Sequence, residues 1–346
     1  MQTIGIITSA GSAVGKWDPD SISSGICGSE EAVIYISHEL AKLGFRVIVF
    51  GDPPNDSRHS VTDANPRFVN VVSISDFELD IAISWRLPDI GSYVKKFVPK
   101  VFLWPHDDCN HSIAKENIDA FDDVLWLSNW QRSRWVSLNP GFAKFENIFG
   151  NGISPEQFNC TVHERINPYS CMYGSNYARG LEILLYLWPH VKKYFPRATL
   201  DIYYGWQHWG LMSPDTESWM REKIEDLKSE DVVDYGLVGH RELNAAYEKA
   251  SLWTYPCIIS ETFCISALRA QLSGAVPVII NRAALAETVR FGFICSKEED
   301  YFANLLNALR HAERITLDDR KNMGGFVLQE FTWEKVAAKW VQLFLD

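Results

Sequence analysis

Short apolar runs alternate with longer amphipathic stretches along almost the whole chain, and this alternation constrains the fold more than any other feature. Short apolar runs are typical of strands in buried parallel sheets, and the amphipathic stretches are typical of the helices that cover such sheets. The predicted strands lie near 2–8, 46–50, 80–85, 100–104, 123–127, 145–149, 169–173, 199–204, 232–236, 252–255 and 276–280. We therefore expect an α/β protein with two Rossmann-like, doubly wound parallel-sheet domains that face each other across a cleft.

Helices are predicted between these strands and after the last of them. In the first half they begin near 29, 113 and 129, and in the second they span about 180–194, 215–228, 240–250, 263–273, 298–312, 316–328 and 332–344. A chain of 346 residues is long enough for about two domains. The polar stretch 159–168, which contains Asn167-Pro168, is the predicted linker, so that residues 1–163 form the first domain and the second begins at 164.

The composition excludes several classes of function. The formal net charge is -11, which argues against nucleic-acid binding and against electrostatic docking on an anionic membrane. The N-terminal segment Met1–Ile7 shows no basic n-region and no small-residue cleavage site, so it is interpreted as a first strand and not as a signal peptide. No stretch approaches the roughly 18 apolar residues of a membrane span. Seven cysteines without a Cys-x-x-Cys pair favour a reduced, cytoplasmic protein without structural zinc, while peripheral attachment to a membrane stays open.

The segment 251–289 contains the clearest candidate for a binding site. A buried strand is predicted to end at Tyr255, a loop then presents Glu261, and a helix is predicted from about Thr262. The first N–H groups of a helix have no intrahelical acceptor and attract anions such as a diphosphate. The predicted donors are the N–H groups of Thr262, Phe263, Cys264 and Ile265. Glu261 either accepts hydrogen bonds from a sugar hydroxyl or is an acidic residue favoured only by the helix dipole.

This segment resembles the signature of the retaining family-4 glycosyltransferases, which have the GT-B fold of two Rossmann-like domains. In that signature a Glu is followed, after seven intervening residues, by a second Glu and then by a Gly and a Pro-Val ending. Glu261 matches the first Glu, and the segment 274–278, Gly-Ala-Val-Pro-Val, matches the ending. The second Glu, which holds the ribose in the family, is replaced by Arg269. Arg269 is expected to reach the diphosphate, to mark a lost ribose clamp, or to point to solvent.

The resemblance extends to the segment 172–181, which is similar to the opening of the family's second domain. There a Lys or Arg before Gly-Leu grips the donor diphosphate, which makes Arg179 the equivalent residue, although a lone Arg at a helix start is often only a surface residue. Tyr173 stands where many members carry another Arg. Ser175 and Asn176 are expected to supply neutral hydrogen bonds instead.

Two further loops resemble donor-binding loops of the same family. The loop before the first predicted helix is similar to the Gly-rich loop that meets the donor phosphate and the acceptor, and the loop after 232–236 is similar to the one that holds the nucleobase. The donor-binding residues implied by these two loops are Gly25, Gly28, Ser29, Leu237 and Val238. The resemblance also implies that 1–163 is the acceptor-side domain, that 164–329 binds the nucleotide sugar, and that 330–346 forms a helix packed back on the first domain.

His106 is the candidate for contact with the reacting sugar. It follows the predicted strand 100–104, and the carboxyl ends of such strands are where α/β proteins collect their sites. The family often places a histidine there, whereas a His that only caps the strand is the alternative.

No metal or other cofactor is expected. The tripeptide Asp18-Pro19-Asp20 has the Asp-x-Asp form of a metal motif from another class of glycosyltransferases, but it lies in a loop without a flanking hydrophobic strand. The chain also lacks a Gly-x-x-x-x-Gly-Lys-Ser/Thr phosphate loop.

The sequence thus predicts a metal-independent glycosyltransferase that moves a sugar from a nucleoside-diphosphate sugar to a glycan, a cell-surface polysaccharide precursor or another lipid-linked acceptor. The resemblance to family-4 glycosyltransferases implies that the transfer retains the anomeric configuration. The predicted catalytic residues are Glu261, His106 and Arg179. The alternatives are a non-catalytic nucleotide- or sugar-binding relative and another enzyme on the same fold, such as an epimerase. The sequence makes no prediction of the oligomeric state.

Overall fold

A computed structural model describes residues 1–9, 15–159, 162–206 and 210–345. The chain forms two compact units, and the first comprises Met1–Ile22, Ile26–Gly152 and Phe331–Asp346. The second comprises Ser23–Gly25 and Ile153–Glu330. The sequence analysis placed one boundary at 163/164, within a polar stretch, and the other at 329/330, from the resemblance of the C-terminal helix. The division of the structure follows the internal packing of each unit instead.

The first unit contains a six-stranded parallel sheet of order β3-β2-β1-β4-β5-β6. Its elements are β1 Thr3–Ile7, α1 Gly28–Lys42, β2 Arg46–Gly51, β3 Arg67–Asn70, β4 Ile81–Trp85, α2 Gly91–Val94, β5 Lys100–Trp104, α3 Lys115–Ala120, β6 Asp123–Val124 and α4 Asn129–Leu138. The central strand β4 is buried along its whole length, as its run of apolar residues requires. This strand order is the Rossmann order, and it reverses direction between β1 and β4.

The second unit repeats the same order in a second parallel sheet, β12-β11-β10-β7-β8-β9. Its elements are β7 Ser170–Gly174, α5 Leu181–Tyr194, β8 Thr199–Tyr203, α6 Pro214–Asp226, β9 Val232–Gly236, α7 His240–Lys249, β10 Leu252–Tyr255, α8 Ile265–Ser273, β11 Val276–Ile280, α9 Leu285–Thr288, β12 Phe293–Cys295, α10 Tyr301–His311 and α11 Leu317–Glu330. The topological switch point lies between β7 and β10, which are neighbours in the sheet but distant in the chain.

The last helix, α12, spans Trp333–Leu345 and belongs to the first unit. Its Trp340 ring packs edge-on against Trp104 of β5 with the ring centroids 4.8 Å apart. Lys100 donates a hydrogen bond from Nζ to the carbonyl of Phe344 at 2.6 Å. The predicted return of the C-terminal helix to the first domain is therefore confirmed, together with the α/β fold class.

The predicted and observed strands differ at three places in the chain. The predicted strand 145–149 is wrong, because this segment contributes only one isolated bridge, between Ile148 and Trp126. The sequence analysis missed β3 and β12, since both are short and β12 has only one buried residue, Cys295. None of the helices in the described ranges combines the length and apolar character that crossing a bilayer requires.

Candidate functional site

The loops that follow β7 and β10 touch each other at the switch point of the second sheet. Gly180 has φ +107°, a left-handed conformation that favours glycine. A Cβ atom at this position would lie 2.1 Å from the carbonyl oxygen of Pro256, so no other residue fits without displacing one loop. The close approach holds Arg179, at the end of the first loop, beside the second loop.

Arg179 and Glu261 form an ion pair at this contact. The Nη1 atom of Arg179 lies 2.5 Å from Oε2 of Glu261, and the two side chains are 29% and 8% exposed. The hydroxyl of Tyr255, the last residue of β10, donates a hydrogen bond to the other carboxylate oxygen, Oε1. The main-chain carbonyl of Glu261 accepts from the N–H of Ala284 at 3.1 Å. Both the backbone and the carboxylate of Glu261 are thus held in place.

The charge of Glu261 raises the pKa of Arg179 well above its usual value, so the guanidinium stays charged. A guanidinium offers five N–H donors. Within the described residues, Arg179 makes no side-chain hydrogen bond or ion pair other than the one with Glu261. Its remaining donors are available to an anion, and an Arg fork matches phosphate oxygens geometrically.

The helix behind this pair begins later than predicted. The sequence analysis placed its start at about Thr262, which is wrong, because α8 begins at Ile265 with Cys264 as its N-cap. Thr262 and Phe263 belong to the preceding loop, so the N–H groups of Ile265 and Ser266 are the ones in the first helical turn. The Ser266 hydroxyl donates to the carbonyl of Gly174 at 3.0 Å and fixes the start of α8 against the end of β7.

Arg269 points into the protein and not to solvent, so the solvent alternative is wrong. It is buried on α8, and its Nη1 atom donates to Oδ1 of Asn244 on α7. Its Nη2 atom lies 3.3 Å from Nδ1 of His240 at the start of α7. Asn244 in turn donates from Nδ2 to the carbonyl of Gln157 at 2.9 Å. Arg269 therefore links α8 to α7 through polar side chains.

Ser175 and Asn176 use their side chains within the loop after β7. The Ser175 hydroxyl donates to the Tyr255 oxygen at 3.2 Å. The Asn176 side-chain oxygen accepts from the N–H of Ala178 at 2.9 Å and caps the short turn that leads to Arg179. Ser175 is therefore tied to the pair of Arg179 and Glu261 through Tyr255, whereas Asn176 shapes the loop that carries Arg179.

The predicted nucleobase loop lies against Gly25, which belongs to the short segment Ser23–Gly25 of the second unit. A Cβ atom on Gly25, which has φ +104°, would lie 2.6 Å from the carbonyl oxygen of Val238 and 2.8 Å from Cγ of Leu237. The structure thus brings together Gly25 and the pair Leu237 and Val238. Gly236 precedes this loop, and its N–H donates to Asp234 at 2.9 Å.

The remaining predicted residues belong to the first unit. Gly28 and Ser29 open α1, whose first turn also contains two buried carboxylates, those of Glu30 and Glu31. These carboxylates already occupy the positive end of the α1 dipole, which makes this helix start less suited to a phosphate than the start of α8.

His106 is buried after β5 between two indole rings. The ring centroids lie 4.4 Å from Trp104 and 5.7 Å from Trp85. Burial, with a smaller contribution from the charge of Arg86, lowers the pKa of His106 well below its usual value. The imidazole is therefore neutral near pH 7, and it exchanges hydrogen bonds without carrying a charge.

Asp18 and Asp20 form, with His59, one group of side chains with metal-ligand spacing. Their ligand atoms lie within 4.8 Å of one another. However, Asp20 already pairs with Arg58 at 2.5 Å, and Asp18 accepts from the hydroxyl of Ser57 at 2.5 Å. Among the described residues no other group meets this spacing.

Tyr255 is the residue of this site that the sequence analysis missed. The sequence shows a tyrosine at the carboxyl end of a buried strand, beside the switch point, and a hydroxyl at that position was the available signal. The sequence analysis interpreted it only as the end of the strand.

No protein-family model and no curated protein matches the sequence. Similar solved structures include a sucrose-phosphate synthase from Thermosynechococcus elongatus, with a TM-score of 0.73, 14% identity and coverage of 99% of this chain and 98% of that one. Anabaena HepE in complex with UDP-glucose gives a TM-score of 0.74 at 14% identity, with 99% of each chain covered. The pneumococcal O-GlcNAc transferase GtfA in complex with UDP and GlcNAc gives 0.70 at 12% identity, with 99% and 98% covered. The chain therefore has the two-domain GT-B fold of these glycosyltransferases.

Proposed function

We propose that the chain transfers a glycosyl group from a nucleoside-diphosphate sugar to an acceptor hydroxyl. The observation that carries this proposal is the pair of Arg179 and Glu261 at the switch point of the second sheet, in the loops that lead to α5 and α8. Ligands of open α/β sheets bind at such points. The guanidinium and the helix start suit a diphosphate, and the carboxylate suits sugar hydroxyls. Similar folds solved with UDP and UDP-glucose support this class of donor.

The roles of these residues in the reaction follow from where negative charge develops as the sugar is transferred. As the bond between the anomeric carbon and the diphosphate breaks, negative charge grows on the leaving nucleoside diphosphate. Arg179 and the first N–H groups of α8 would stabilise that charge, and one such preoriented donor contributes about 3 kcal/mol to lowering a barrier. Glu261 would hold hydroxyls of the transferred sugar. The resemblance to family-4 glycosyltransferases supports retention of the anomeric configuration.

We infer that the acceptor binds to the first unit, as the resemblance to family-4 glycosyltransferases implies. We infer a glycan or a lipid-linked polysaccharide precursor, with the neutral imidazole of His106 as a hydrogen-bond partner of a hydroxyl. The diphosphate charge is met by Arg179 and α8 in this scheme, so that no metal or other cofactor takes part. The engagement of Asp18 by Ser57 and of Asp20 by Arg58 supports this.

A panel of UDP-, GDP-, ADP- and dTDP-sugars tests the proposal. Release of nucleoside diphosphate is followed with and without oligosaccharide acceptors, and Glu261→Ala, which changes a loop residue, is expected to abolish release without unfolding the protein. Binding of a nucleotide sugar without turnover would identify a non-catalytic relative. Conversion of the sugar on an intact nucleotide would identify an epimerase, and either outcome contradicts the proposal.

A further inference from the structure

The hydroxyl of Tyr255 lies at the centre of a chain of hydrogen bonds that ends on Glu261. The Tyr255 side chain is fully buried, and its ring stacks on Trp253 with centroids 4.8 Å apart and an angle of 19° between the planes. This stacking leaves the phenol little freedom to rotate away. The hydroxyl donates to Oε1 of Glu261 and accepts from the hydroxyl of Ser175 at 3.2 Å.

Glu261 depends on few donors. Its carboxylate has two side-chain partners among the described residues, Arg179 and Tyr255. A buried carboxylate that loses a donor loses much of what offsets its removal from water. In the proposed function Arg179 also binds the diphosphate of the donor, whereas Tyr255 is buried and is assigned no contact with the donor.

The phenol keeps its proton throughout the working range of an enzyme. Burial raises the pKa of Tyr255 well above its usual value, and the neighbouring Cys257 and Glu261 raise it further. The incoming bond from Ser175 occupies a lone pair of the phenol oxygen and polarises the O–H group toward Glu261. Tyr255 is therefore a permanent donor aimed at one carboxylate oxygen.

We propose that Tyr255 is a positioning residue for sugar transfer. It keeps the carboxylate of Glu261 in the orientation that receives the sugar hydroxyls while the diphosphate engages Arg179. This inference rests on the proposed function and adds a residue, outside direct contact with the substrate, that determines how well the sugar is held.

The test compares two tyrosine hydroxyls that are both buried. Tyr255→Phe removes the donor to Glu261, and the control Tyr301→Phe removes a hydroxyl on α10 that donates to the main-chain carbonyl of Val278 in β11 at 3.2 Å. We measure Tm, kcat/KM for the nucleotide sugar that the wild type turns over, and Kd for its free nucleoside diphosphate. Tyr255→Phe is expected to lower kcat/KM by about 10- to 100-fold, the size of one lost bond to a charged group, with Kd changed less than about threefold. Tyr301→Phe is expected to lower Tm by a similar amount and to change kcat/KM less than about threefold.

Two further variants test the inference, and the first of them does not depend on the folding of Tyr255→Phe. Ser175→Ala leaves the phenol in place and is expected to lower kcat/KM by about threefold, because only the polarisation is lost. In a Glu261→Ala background, where the phenol has no side-chain oxygen to position, Tyr255→Phe should cause no further loss of affinity for the nucleotide sugar relative to the nucleoside diphosphate.

Equal effects of Tyr255→Phe and Tyr301→Phe on kcat/KM, or an additional loss in the Glu261→Ala background, would overturn the positioning role while leaving glycosyl transfer intact. A wild-type protein that turns over no nucleotide sugar would instead refute the proposed function, and with it this role.

Discussion

Replacing Glu261 by Gln is expected to tighten the binding of a free nucleoside diphosphate while it weakens sugar transfer. In the structure the carboxylate neutralises Arg179 at 2.5 Å, so the guanidinium presents little net charge to an incoming phosphate. The amide of Gln keeps the size of the side chain but removes the negative charge. Arg179 is partly exposed and stays solvated, so the variant is expected to fold.

The magnitude follows from the separation of the charges. A phosphate bound on the free edge of the Arg179 guanidinium would lie about 6 Å from the Glu261 carboxylate, and two like unit charges at that distance repel by roughly 1–3 kcal/mol for an effective dielectric constant of about 80 to 20. Removing the repulsion corresponds to about a 5- to 100-fold lower Kd. Arg179→Met should have the opposite effect and weaken the binding of the nucleoside diphosphate by about 10- to 100-fold.

Isothermal titration calorimetry with a nucleoside diphosphate and its nucleoside provides the assay. Glu222→Gln is the matched control, because it removes one exposed carboxylate on α6 and should leave the affinity within about twofold in physiological salt. Arg179→Met should weaken the binding of the nucleoside diphosphate more than the binding of the nucleoside. Unchanged or weaker diphosphate binding by a folded Glu261→Gln protein would refute the argument that this carboxylate competes for Arg179.

Three further results are expected, each with its own measurement. Turnover should survive excess EDTA, and loss of turnover that manganese or magnesium restores would contradict the metal-free mechanism. Gly180→Ala should lower Tm and abolish turnover because its Cβ would collide with Pro256. Gly44→Ala is the control for backbone strain alone, since Gly44 has φ +92° and its Cβ would meet no atom within 4 Å. Similar losses of Tm and turnover in both variants would contradict a role for the loop contact. Unfolded His106 binds a proton below about pH 6.5 and the buried imidazole does not, so His106→Gln should reduce the loss of unfolding free energy between pH 7 and 5. An unchanged pH dependence in urea titrations would contradict the lowered pKa of this histidine.

Much of the architecture follows from the local pattern of apolar, polar and turn residues. The predicted strands 100–104, 252–255 and 276–280 have the observed bounds, because short apolar runs flanked by turn residues leave little freedom in where a buried strand begins and ends. The predicted strand 232–236 also has the observed bounds, although Val232 is its one buried residue. The alternation of strands and helices also predicted two parallel sheets. It failed at 145–149, where the mixed segment Phe-Glu-Asn-Ile-Phe forms only one isolated bridge. The pairing of a strand requires a neighbour that the local sequence does not reveal.

The sequence by itself also selected Arg179, Glu261 and Arg269 as residues of interest, through their positions in the resembling segments. Their partners were decided by the tertiary structure. Arg179 meets Glu261 because the loops after β7 and β10 touch at Gly180, and Arg269 turns to Asn244 and not to solvent because α7 packs beside α8. Residues far apart in the chain become neighbours only when the sheet sets the order of its strands, and a charge buried by that packing takes the partner within reach.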